Sequence, residues 1–130
     1  MDIFDNHNNK IASIVYFEEI KNGRNFVSEK SDEFQIGLFQ LESKTTIARH
    51  IHPGRNRNID FTSEAIVLLE GEIEIDLYDL DKNLIKKITL QDKDSIVFHK
   101  GGHSINLLKE SKFIEFKQGP YDQDLDKELF

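Results

Sequence analysis

A chain of 130 residues with 38% hydrophobic residues, ten of all its residues being phenylalanine, suits one domain around one core. A formal net charge of −7 argues against nucleic acid, whose phosphates call for a basic face, and equally against an anionic membrane surface. Cysteine is absent, which excludes disulfides and thiolate sites, so a bound metal would have to use nitrogen and oxygen ligands.

The first ten residues are polar and read as a loose start to a single domain spanning 1–130. They have neither the basic opening nor the apolar stretch of a signal peptide, and no run of about eighteen apolar residues follows anywhere, so a cytoplasmic address is expected. From Ile11 short apolar runs alternate with polar breaks, the pattern of an all-β protein. Strands are expected at Ile11–Phe17, Phe34–Glu42, Thr45–His52 and Ala65–Leu69, with a helix over Ile11–Lys21 as the alternative for the first. Ala65–Leu69 is apolar on both faces, which predicts a central strand covered on both sides.

The clearest strand is Glu72–Tyr78: Ile73, Ile75 and Leu77 fall on one face, Glu72, Glu74 and Asp76 on the other. Turn residues at 79–83 and a returning run at Leu84–Leu90 complete a hairpin. Ser95–Phe98, Ser104–Leu108 and Phe113–Lys117 follow, and Leu125 and Leu129, four apart, are compatible with a short helix in Tyr121–Phe130. So many short strands point to a sandwich or barrel.

Two of the five histidines, His50 and His52, stand one residue apart. On a strand such positions share a face about 6–7 Å apart, close enough for two imidazoles to tilt onto one ion. Glu64 opens the next apolar run on the face of Ile66 and Leu68, where a carboxylate meets a desolvation cost. His103 follows the turn Lys100-Gly-Gly and shares a face with Ile105 and Leu107.

The stretches His50-x-His52 … Glu64 … Gly71 and Lys100-Gly-Gly-His103 resemble the two motifs of the cupin superfamily. Together with Thr62-Ser-Glu64, Leu69-Glu-Gly71 and Glu115-Phe-Lys-Gln-Gly-Pro-Tyr121, they resemble small single-domain cupin metalloproteins associated with bacterial polysaccharide biosynthesis. Eleven residues separate His52 from Glu64, more than the family pattern has, and the usual proline of the second motif is missing. The resemblance implies an all-β jelly-roll barrel, a double-stranded β-helix with its core at about 34–118. It implies one divalent ion (Fe, Mn, Ni, Co, Cu or Zn) held by His50, His52, Glu64 and His103, a donor set suited to borderline metals. It also makes a homodimer plausible, through an edge strand or the 121–130 tail.

A metal-dependent barrel of this kind would act on a small anionic or sugar-derived molecule, the ion serving as a Lewis acid in an isomerase- or epimerase-like reaction. The alternatives are a non-catalytic binding or sensing module, an iron-dependent dioxygenase and a metal-free sugar-nucleotide isomerase. Arg55 and Arg57, between His52 and Glu64, are candidates to hold a ligand carboxylate or phosphate. Glu115 and Lys117 share a face of the last strand. They are candidate acid, base or anchor if that face is the inner one.

Overall fold

The computed structural model describes residues 1–120, 122 and 126–130. Its strands are β1 (Asp2–Phe4), β2 (Lys10–Val15), β3 (Gly23–Phe26), β4 (Gly37–Gln40), β5 (Glu64–Glu70), β6 (Glu72–Tyr78), β7 (Leu84–Gln91), β8 (Ser95–Phe98), β9 (Gly102–Leu107) and β10 (Lys112–Lys117), with a 3-10 turn at Phe17–Glu19. The chain divides into two compact units: Met1–Glu19 with Phe61–Phe130, and Ile20–Asp60.

The larger unit holds two antiparallel sheets, one of five strands in the order β1-β2-β8-β5-β10 and one of three in the order β7-β6-β9. Their inner faces supply one apolar core. Ile11, Ile14, Ile66, Leu68 and Ile96 come from the first sheet; Ile73, Ile75, Leu77, Ile88 and Leu90 come from the second. Each such side chain contributes about 1.5–3 kcal/mol when removed from water, and the preponderance of β-branched Ile suits a pleated surface. On the opposite face of β6, the buried Asp76 carboxylate accepts two 2.8 Å hydrogen bonds from Lys87 Nζ, directly across the ladder on β7. The β6–β7 hairpin closes as its turn residues predict, with Asp79 Oδ1 accepting from the Asn83 amide at 2.8 Å.

The expected jelly-roll barrel does not form. The described residues make three separate open antiparallel sheets. The five-stranded sheet ends at β1 and β10 and the three-stranded sheet at β7 and β9. Among the described residues no ladder joins one to the other, so the hydrogen-bonded circuit of a barrel stays open. The all-β reading holds.

Several elements differ locally from expectation. Asp2–Phe4, in the supposed loose start, is a strand: the Met1 ammonium donates to Ile14 O at 2.7 Å and Ile3 packs into the core. The first long strand ends at Val15, before the 3-10 turn. β5 is internal to its sheet but covered on one face only: Ile66 and Leu68 are buried while Leu69, on the other side, is 50% exposed. Of the expected C-terminal helix, 121 and 123–125 lie outside the described residues, and 127–130 adopt no regular structure.

The smaller unit contains one two-stranded sheet, β3 paired with β4, with Phe26 and Phe39 meeting edge to face at 5.7 Å. The expected strand Phe34–Glu42 shrinks to β4, and Thr45–His52 is not a strand at all. Its only aliphatic side chains longer than alanine are Ile47 and Ile51, with Arg49 between them on the same side of an extended chain, so neither face could be buried as an apolar surface.

Gly71, between β5 and β6, has φ +113°, and a Cβ there would lie 2.6 Å from Glu110 O. Its place after Glu64 reflects this turn. Gly71→Ala is expected to cost about 2 kcal/mol or more, since both the backbone angle and the neighbouring main chain resist a side chain; chemical denaturation measures it.

Candidate functional site

Strand register decides which side chains of the larger unit converge. Phe98, Glu64 and Lys117 stand opposite one another across β8, β5 and β10, and Ile96, Ile66 and Glu115 form the adjacent row. Opposed residues of antiparallel strands share a face, so Glu64, Glu115 and Lys117 all lie on the side where Ile66 and Leu68 are buried. The orientation of β10 reverses the usual pattern. Its charged pair is on the side of Ile66, with Glu115 exposed and Lys117 half-buried, while Ile114 and Phe116, 43% and 54% exposed, face the other way. Charges on the inner face of an edge strand have to be accommodated by one another or by water.

His103 enters from β9 of the facing sheet, opposite Leu77. Its ring stacks flat on Phe98, with centroids 3.9 Å apart and planes 8° from parallel, and its Nε2 lies 3.9 Å from Glu64 Oε1. The two glycines before it serve packing. Gly101 has φ +82° beside the Tyr78 carbonyl, and Gly102 leaves room for the Phe130 ring, which a Cβ would approach to 2.6 Å. Phe130 also meets Tyr78 edge to face at 5.2 Å, and Lys82 Nζ contacts Glu128 at 2.7 Å, so the end of the chain is fastened beside this turn. Asp126 reaches Lys117 Nζ at 3.4 Å.

Burial, then the charge of Glu115 and the hydrogen bond that Glu64 donates to it, push the Glu64 carboxyl up to about 7; Lys117 and Lys127 oppose that rise. Burial lowers the His103 imidazole below its ordinary value, Glu115 pulls it back up, and Lys127 pushes it further down. Near neutrality the cluster therefore combines a carboxyl group that exchanges its proton with an uncharged imidazole. Glu64, His103 and Lys117 keep 18%, 26% and 22% of their side-chain surface, so solvent reaches all three.

The other residues singled out from the sequence lie apart from this cluster in the chain's organisation. His50, His52, Arg55 and Arg57 belong to the smaller unit, on an exposed stretch without regular structure. The His50 and His52 rings are 5.0 Å apart and nearly perpendicular, and His50 Nδ1 is bound to the Ala48 carbonyl at 2.8 Å. Glu64 and His103 belong to the larger unit. Among the described residues no group of three or more His, Cys, Asp or Glu side chains is arranged to hold a metal ion. Within the larger unit the pair Glu64–His103 by itself falls short of the four ligands of a closed site.

From the sequence His99, which shares the parity of His103 but precedes the Gly-Gly turn, is a spare, and Ser13 draws no notice. The Ser13 hydroxyl, 4% exposed, donates to Asp2 Oδ1 at 2.6 Å and lies 2.9 Å from His99 Nε2. The order is carboxylate–serine–histidine, so the hydroxyl proton goes to the acid and the imidazole is no base for it; the network ties β1 to the sheet. Its only sequence signal is an isolated Ser in an otherwise apolar strand.

No protein-family model, no curated protein and no solved structure matches this chain. The cupin resemblance, the metal-binding assignment and the metal-dependent reaction built on them are therefore set aside: the sheets are open, and no metal-holding cluster occurs among the described residues.

The proton held by Glu64 has a thermodynamic consequence. The folded carboxyl keeps it up to about pH 7, whereas an unfolded glutamate releases it near 4.5. Over that interval the folded state binds more protons, so stability falls as pH rises through it. Glu64→Gln removes this liability. Its stability relative to wild type is expected to increase between pH 4.5 and 8 by about 2 kcal/mol, less than the full shift implies because the carboxyl retains contact with water. Urea denaturation at the two pH values checks it.

Proposed function

We propose that the larger unit carries a general acid–base site that exchanges protons with a small polar molecule. The observation that carries this reading is the convergence, from β5, β10 and β9, of Glu64, Glu115, Lys117 and His103 on one side of the sheet, with Lys117 opposite Glu64 in the ladder and Glu64 within 3.9 Å of His103. Holding the largely buried Glu64 carboxyl against an apolar core is unfavourable for the fold and supports a chemical role.

The roles follow from the environments. Glu64, protonated up to about pH 7, is the proton donor. Glu115 disfavours a second negative charge beside it. His103, uncharged and held in plane by Phe98, is the proton acceptor. Lys117 supplies a cation next to them, suited to an oxygen on which negative charge develops. Protons leave the ligand to His103 and reach it from Glu64, and the two side chains then re-equilibrate with water, so no net charge is consumed. Acid–base assistance of this kind is worth about 100- to 10,000-fold in rate.

Solvent deuterium uptake at the carbons of dihydroxyacetone and of pyruvate, followed by proton NMR, tests the reading. Wild-type protein is expected to accelerate uptake on at least one of them over buffer, with the rate falling above about pH 7 as Glu64 loses its proton. Glu64→Gln and His103→Gln should each lower it by roughly 100-fold. Uptake no faster than buffer on both probes, or unchanged in both variants, refutes it.

A further inference from the structure

Residues 43–59 contain Lys44, Arg49, Arg55 and Arg57 and no Asp or Glu, in a chain whose net charge is −7. Every residue from 41 to 60 is exposed, and none from 45 to 60 belongs to a strand, helix or turn. Irregular runs of this length in a small protein are uncommon and often serve binding. Apolar side chains are presented among the cations: Ile47 is 54% exposed, Ile51 87% and Ile59 43%.

We infer that residues 43–59 form a docking segment for an acidic peptide of another protein, one that carries aliphatic residues between its carboxylates. The alternation of the segment supports this. Drawn out as a strand, Ile47, Arg49, Ile51, Arg55, Arg57 and Ile59 fall on one side, while the other side carries Thr46, Ala48, His50, His52, Gly54, Asn56 and Asn58. The neighbouring rings of His50 and His52, 5.0 Å apart, fit this spacing. One side thus interleaves guanidinium groups, which can take carboxylates through paired hydrogen bonds, with branched aliphatic surface. A nucleic acid would satisfy the cations but leave the isoleucines unmatched, and 43–59 contains no Phe, Tyr or Trp on which a base could stack. An acidic and aliphatic strand satisfies both and can add main-chain hydrogen bonds on the side that Pro53 leaves able to donate. Ordering the segment has an entropic cost, so affinity in the micromolar range, roughly, is expected.

The test uses the full chain and a fluorescein-labelled decapeptide of alternating glutamate and leucine, read by fluorescence polarisation at low and high salt. All-glutamate decapeptide, a single-stranded DNA 20-mer and vesicles containing phosphatidylserine are the comparison probes. Saturable binding of the alternating peptide is expected, weaker at high salt and tighter than to any comparison probe. The triple variant Arg49→Gln, Arg55→Gln, Arg57→Gln should weaken it about 10- to 100-fold, and Ile51→Ser alone should weaken it several-fold without changing the salt dependence. No binding, binding unaffected by both variants, or preference for DNA or vesicles overturns the proposal. So does self-association by light scattering that the triple variant abolishes, because the occupant would then be a second copy of this chain.

Discussion

The larger unit depends on two sheet faces excluding water together. Ile73, Ile75 and Leu77 on β6 and Ile66 and Leu68 on β5 have almost no exposed surface, and none of them could be buried by its own sheet alone. A carboxylate buried on those faces is held against a low-dielectric surface. Glu64 is the first residue of β5, two positions before Ile66, and its proton affinity follows from that address before any neighbour is considered. The rest of the candidate site consists of groups that the same register brings up beside it.

β10 makes the cluster possible. A strand that read only its own hydrophobicity would turn Ile114 and Phe116 inward. Pairing with β5 instead aligns Glu115 with Ile66 and Lys117 with Glu64, and the aromatic and aliphatic residues are left outward. As the edge strand it has one free side, so its inner charges can keep contact with water while pointing toward the core. His103 comes from the other sheet, and its plane is set by Phe98 rather than by a hydrogen-bonding carboxylate. The site is therefore shared between the two sheets, and it would be disturbed by anything that let them slide.

The failure of the metal reading has a physical cause. A His-x-His pair gathers two ring nitrogens only when a strand carries it toward a third ligand. The two rings are indeed neighbours, but Thr45–His52 has no apolar face to bury and forms no strand. The glycines that completed the resemblance have local explanations: Gly71 takes a backbone angle at a tight connection, and Gly102 gives space to Phe130. Short motifs built of glycine, histidine and glutamate arise from turn chemistry as readily as from metal chemistry.

What could be read directly was whatever depended on neighbours along the chain. The period-two alternation of Glu72–Tyr78, the Asp79–Asn83 turn, β8 at Ser95–Phe98 and the all-β class follow from local pattern, because a strand half buried in a core must alternate and a tight turn must use turn residues. The inward position of Glu64 was also legible, since parity with Ile66 and Leu68 fixes its face. Whether Glu115 and Lys117 point inward was not, for both faces of β10 have a case on their own; only the alignment of Glu115 with Ile66 decides it. The approach of His103 to Glu64, the stacking on Phe98, the Ser13–His99 contact and the separation of His50 and His52 into another unit are likewise tertiary facts. They depend on which strands pair and which sheets face one another, and periodicity within a single strand carries no information about either.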